Sequence, residues 1–207
     1  MRISLFGLGY VGTVSAACLA KLGNTIVGID TNVGKVDAIR RGTSPVVEPG
    51  VGMLLKDAVA AGRLTATTDA ETAINTTELS LICVGTPSNS NGGLNATGVL
   101  AVAREIGEVL KRKAGYHGIA IRSTVMPGTV ERATEIIAEV SGKVPGRDFG
   151  VASNPEFLRE GTAVLDFEAP HLRLLERRMP ALRNSCGASM SHSIRHTSSL
   201  MSKSPSF

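Results

Sequence analysis

Cysteine is scarce. The chain has three, Cys18, Cys83 and Cys186, with no paired spacing, which excludes a disulfide framework and a zinc site. Long apolar runs are missing too. The longest are strand-sized, so no segment is suited to span a membrane. After Met1 and Arg2 the sequence enters a strand at once, with neither an apolar signal-peptide core nor a cleavage site. A reducing cytoplasm is the expected compartment. Tryptophan is absent and other aromatics are few, yet 43% of residues are hydrophobic and 19% charged. That balance excludes disorder throughout, collagen and a disulfide-rich scaffold, and 207 residues suffice for one fair-sized domain with a small addition.

The net charge of +4 suggests nucleic-acid binding until the chain is divided. Residues 1–170 carry 16 Lys and Arg against 17 Asp and Glu, whereas residues 171–207 carry six basic residues against one acidic. The last 37 residues also hold nine serines and three of the four histidines. The excess therefore belongs to a tail and not to a binding face, and no nucleic-acid partner is expected. Residues 171–207 have no strand pattern and read as poorly ordered, with room for a short amphipathic helix around 172–182. A basic interaction tail and an incidental, out-of-frame end are both compatible with this composition.

Residues 1–170 alternate strand and helix signals, the pattern of an α/β, doubly wound, mostly parallel sheet. Strands are expected at 2–6, 25–30, 63–68, 79–85, 118–123 and 148–154. Helices are expected at 10–22, about 32–42, 51–61, after Asp69 as a cap, 99–112 and 127–140, with Gly23 ending the first. Residues 43–50 and the stretch after Thr86 read as loops. Six such strands make a complete dinucleotide-binding sheet of the Rossmann type.

Within "GLGYVG" three glycines fall in six residues, where the first strand ends and the first helix begins. Gly7 allows a tight turn, Gly9 lets a pyrophosphate approach the backbone and Gly12 lets helix pack on strand. The helix start then offers free amides and positive dipole to phosphate. The second strand ends in Asp30, 18 residues after Gly12. Its carboxylate would accept from ribose hydroxyls and repel a 2′-phosphate, which favours NAD over NADP. Lys35 is either a neighbour of that ribose or an exposed helix lysine.

Further polar residues follow the later strands, where ligands of such sheets bind. They are Thr86 after the fourth, Ser123 and Thr124 after the fifth, and Asn154, Glu156 and Glu160 after the sixth. Four residues apart, Glu156 and Glu160 would share a face of a helical turn, and a carboxylate in a cleft can be tuned as a base. Cys18, in the first helix, and Cys83, inside the fourth strand, read as small buried hydrophobes. His117, ahead of the fifth strand, reads as a loop residue.

"GLGYVG", "SPVVEPG", "ICVGTPS", "IRSTVMPGT" and "NPEFLREGTA", in that order, closely resemble the UDP-glucose/GDP-mannose dehydrogenase family over residues 1 to about 170. The GDP-mannose branch is the nearer and the UDP-glucose branch the close second. The resemblance implies oxidation of a nucleotide sugar's primary alcohol to a carboxylate by two hydride transfers to NAD, in an enzyme of polysaccharide (alginate-type) synthesis. It also implies a catalytic cysteine that carries a thiohemiacetal and then a thioester. By the same resemblance Tyr10, Val11, Asp30, Lys35, Thr86 and Thr124 are cofactor-contacting, beside Gly7, Gly9 and Gly12. Thr124 and Glu156 place and activate water, and Glu160 contacts substrate.

The family's second α/β domain, helical dimerisation segment and catalytic cysteine motif have no counterpart here. Cys186, in "NSCGASM", lacks the glycine-rich context of that nucleophile. The expectation is a chain truncated or frameshifted near Pro170 that binds NAD without turnover, its oligomeric state open. Two other readings remain: a 3-hydroxyacid or 6-phosphogluconate-type dehydrogenase, which gives no reason for "NPEFLREG", and a non-catalytic nucleotide-binding module.

Overall fold

The computed structural model describes residues 1–89 and 92–169. The expected tail, with its short helix and Cys186, lies outside the described residues. Strands β1 (Arg2–Phe6), β2 (Thr25–Ile29), β3 (Leu64–Thr67), β4 (Leu79–Ile82), β5 (His117–Ile121) and β6 (Phe149–Ser153) form one sheet in the order β3-β2-β1-β4-β5-β6. Every pairing is parallel, so "mostly parallel" becomes wholly parallel for these six. The order reverses direction at β1, and the crevice between β1 and β4 is where such sheets bind ligands.

The helices are α1 (Tyr10–Lys21), α2 (Val33–Arg40), α3 (Val51–Ala60), α4 (Ala70–Asn75), α5 (Thr97–Leu110), α6 (Thr129–Ser141) and α7 (Ala163–Glu168). Local chemistry sets their ends. Asn32 and Asp69 cap α2 and α4 by accepting from the Lys35 and Thr72 amides. Gly23, at φ 89°, closes α1: its N–H reaches the Ala20 carbonyl while Asn24 N–H reaches that of Leu19. Gly128, at φ 89°, precedes α6, which starts two residues after Pro127.

Strand alternation divides the core into two layers. Ile3 and Leu5 of β1, with Leu79 and Leu81 of β4, pack with α1, α2, α3 and Ala163 of α7. Phe6 of β1 and Ile82 of β4 face the other way, with Ile119 and Ile121 of β5, against α4, α5 and α6. Each fully buried aliphatic side chain contributes about 1.5–3 kcal/mol, so two aliphatic layers hold the sheet without tryptophan.

Two expectations fail here. The fourth strand ends at Ile82, so Cys83 lies one residue beyond it and residues 83–85 turn into the loop. His117 is no loop residue: it opens β5 and is fully buried. Its Nε2 sits 2.8 Å from Ser80 Oγ, which is 2.7 Å from Ser4 Oγ, so three polar side chains of neighbouring strands are hydrogen-bonded in a row inside the sheet layer.

Candidate functional site

The turn between β1 and α1 is set by its glycines. Gly7 has φ 94°, and a Cβ there would lie 2.9 Å from the Cys83 carbonyl oxygen. At Gly12 a Cβ would fall 1.8 Å from the Gly7 carbonyl oxygen, so only glycine lets α1 start this close to β1. Gly9 differs. Its φ is −76°, open to any residue, and a Cβ there would meet nothing within 4 Å. The chain's own packing accounts for the first two glycines and leaves the third facing open space.

That open space adjoins the start of α1. Gly9 stands at the N-cap position with no side-chain cap, so the first amides of the helix have no intrahelical acceptor. Beside it, Asp30 directs its carboxylate inward. Oδ2 accepts from the Leu8 N–H at 2.7 Å, and Oδ1 from the Asn32 N–H at 2.9 Å. Lys35 Nζ approaches Oδ2 at 3.6 Å, so the lysine belongs to this group and is not merely an exposed helix residue. The carboxylate keeps lone pairs for hydroxyl donors. Val11 is partly buried against the core layer behind the turn.

The loops beyond β4 and β5 are joined. Thr86 Oγ1 donates to the Thr124 carbonyl at 2.8 Å, and Ser123 Oγ donates to the Val84 carbonyl at 2.6 Å. Beyond β6, Asn154 Oδ1 accepts from Arg122 Nη1 at 2.8 Å, while the Arg122 guanidinium stands 5.5 Å from the Phe167 ring centre. Glu156 accepts from the Leu158 N–H at 2.5 Å. Residues 154–159 are not helical, so Glu156 and Glu160 do not share a helix face as expected. Glu160 is exposed, and its charge is felt at Tyr10.

A residue not singled out by sequence reasoning holds these parts together. Glu48, in the loop before α3, is buried. Its Oε2 accepts from the Tyr10 hydroxyl at 2.6 Å and the Gly161 N–H at 2.7 Å, and its Oε1 from the Ala163 N–H at 2.8 Å. Burial opposes its charge, but these three donors outweigh burial and hold the carboxyl below its ordinary range. Burial and the adjoining carboxylate together push the Tyr10 phenol well up, so both groups stay in the paired form. Next to them Arg159 clasps Asp166, Nη2 to Oδ1 at 2.7 Å and Nε to Oδ2 at 3.1 Å. The visible signal for Glu48 is an acidic residue in an apolar loop between prolines.

Both described cysteines are buried as expected, Cys18 in α1 and Cys83 past β4. Burial pushes each thiol up to about 12, with Glu168 adding to it at Cys18 and Arg122 opposing it at Cys83, so neither supplies a thiolate at neutral pH. Among the described residues no cluster of His, Cys, Asp and Glu could hold a metal, and no helix is long and apolar enough to cross a membrane.

Residues 1–175 match the UDP-glucose/GDP-mannose dehydrogenase family, NAD binding domain. GDP-mannose 6-dehydrogenase of Pseudomonas savastanoi pv. phaseolicola is 52% identical over 176 residues, 84% of this chain and 40% of that protein. UDP-glucose 6-dehydrogenase of Rhizobium meliloti is 42% identical over 171 residues, 82% of this chain and 38% of that protein. Among solved structures, a ternary complex of GDP-mannose dehydrogenase from Pseudomonas aeruginosa superposes with a TM-score of 0.89 at 39% identity, covering 97% of this chain and 50% of that one. The chain spans about 40% of the length of the curated relatives it matches.

Proposed function

The chain belongs to the UDP-glucose/GDP-mannose dehydrogenase family, and from that premise we propose that it is the cofactor-binding part of an NAD-dependent GDP-mannose 6-dehydrogenase, which forms GDP-mannuronate. NAD is the cofactor of the domain, and bound there it accepts hydride. The higher identity to GDP-mannose than to UDP-glucose dehydrogenases supports the choice of sugar nucleotide. UDP-glucose oxidation is the second reading, favoured by the motifs that both branches share.

The observation that carries the cofactor reading is Gly9: an unstrained glycine open on its Cβ side, at an uncapped helix start, next to an oriented Asp30. In this reading the amides of Tyr10 and Val11 take the pyrophosphate, with Gly7 and Gly12 shaping the turn. Asp30 holds the adenosine ribose with Lys35 at its side, and Thr86 and Thr124 hold the part of NAD that reaches the β4 and β5 loops. Thr124 and Glu156 place and deprotonate the water that releases product, and Glu160 contacts the sugar nucleotide. No described cysteine supplies the nucleophile, which we assign to the length of the relatives that this chain does not span. Turnover then requires that length.

The test is thermal or denaturant unfolding of the 207-residue chain with NAD, NADP or neither. NAD at 100 times its dissociation constant adds about 2.7 kcal/mol of stability. NADP adds far less, and Asp30→Ala removes the NAD increment. Equal stabilisation by both cofactors, or an increment that survives Asp30→Ala, would overturn the assignment of Asp30.

A further inference from the structure

We propose that Glu48 is a positioning residue that couples cofactor occupancy at the start of α1 to the segment carrying Glu156 and Glu160. Tyr10 is the first residue of α1, and in the reading above its amide meets the cofactor. Its side chain does something else. The hydroxyl donates to Glu48 Oε2 at 2.6 Å, and the same carboxylate receives the Gly161 and Ala163 amides at 2.7 and 2.8 Å. One buried carboxylate therefore joins the helix start to the turn that follows Glu160 and opens α7.

The alternative role for Glu48 is to hold residues 161–163 in place and nothing more. The Tyr10 bond argues against it. Gly161 and Ala163 already occupy one oxygen each, and the segment could be fixed without a donor from α1. The phenol is also anchored nowhere better among the described residues: its other acceptor is the Arg159 carbonyl at 3.5 Å, on the segment that Glu48 holds. One contact thus reaches the stretch between Glu156 and α7 directly, and the other reaches it through Glu48. Fixing Tyr10 by cofactor restricts the phenol, the phenol restricts Glu48, and Glu48 restricts the 159–163 turn. By linkage, order in that turn favours cofactor to the same degree.

The inference rests on the cofactor reading and can fail apart from it. Amide exchange of Gly161 and Ala163 is followed by NMR in the full chain, with and without saturating NAD, while the unfolding midpoint reports cofactor binding. The expected result is slowing by about fivefold on NAD addition, at the low end of usual coupling factors. In Tyr10→Phe, exchange without NAD changes little, because Glu48 still accepts both amides, and the NAD-dependent slowing disappears. In Glu48→Gln, exchange is faster without NAD and the slowing is again lost. A midpoint raised by NAD with no slowing in the unaltered chain, or with slowing that persists in Tyr10→Phe, would overturn the coupling alone. A midpoint that NAD leaves unmoved would overturn the cofactor reading and the coupling with it.

Discussion

His117 should make the domain acid-sensitive well above the range in which carboxylates titrate. Its ring is fully buried at the start of β5, with Nε2 against Ser80 Oγ. Among the described residues Nδ1 has no well-aligned hydrogen-bond partner, and the Lys113 ammonium lies close by. Burial foremost, then that cation, lower the ring from 6.5 to about 3, against a small opposing pull from the Thr77 carbonyl. The native state therefore binds fewer protons than the unfolded chain between those values. Stability is full above the unfolded value and falls with pH below it, by about 1.4 kcal/mol per unit. Between about pH 8 and pH 5 the loss is about 2 kcal/mol, and near pH 3 the full cost approaches 5 kcal/mol. Lys113, itself lowered by burial to about 8, acts in the same direction but only in alkali, and Glu48, Asp148 and Asp166 act only in stronger acid. Urea unfolding followed by circular dichroism across this window measures the slope. A His117→Gln variant, which keeps a polar partner for Ser80, should be flatter by about 2 kcal/mol over the same range. Parallel curves for the two proteins would refute the reasoning.

The glycines of the first turn should separate by function. Gly9→Ala places a methyl in open space at an ordinary φ, so the gain through the unfolded chain offsets the poorer N-cap and stability changes by no more than about 1 kcal/mol, while NAD no longer shifts the unfolding midpoint. Gly12→Ala sets a methyl against the Gly7 carbonyl and destabilises the fold with or without cofactor, which the same unfolding curves reveal. In a full-length relative, the substitution equivalent to Glu156→Gln slows product release after the second oxidation. A thioester trapped on the enzyme and seen by mass spectrometry is the expected sign, and normal release would remove Glu156 from that role.

The strand–helix order was legible because each strand is a short apolar run between turn residues and each helix is closed by local chemistry such as Asp69 or Gly23. Sequence reasoning went wrong where a local feature served a distant partner. A histidine ahead of a strand resembles a loop residue until Ser80, 37 positions earlier, is laid beside it by the sheet. The apolar run from Leu79 overstates β4, because burial continues past Ile82 while the backbone leaves the ladder after one last bond, from the Cys83 N–H to the Phe6 carbonyl. Helical spacing of Glu156 and Glu160 is real on paper, but Pro155 and the bond from Leu158 N–H to Glu156 shape a turn instead.

The "SPVVEPG" stretch shows what the site adds to its motifs. Two prolines mark it as a loop, and nothing in its spacing tells what the glutamate is for. Its donors come from 38 positions earlier and from 113 and 115 positions later, separations that no local pattern encodes. The five motifs thus differ in kind. The glycine turn carries part of its reason within itself, since Gly12 is forced by the Gly7 carbonyl and Gly7 by its positive φ, to which Cys83 just past β4 adds a close contact. The glutamate of the second motif and the glycine of the last, Gly161, take their meaning only from each other. With Tyr10 they make the first, second and last of these stretches one hydrogen-bonded unit, so in the proposed coupling a cofactor seated on the first would bear on the backbone that carries the carboxylates of the last.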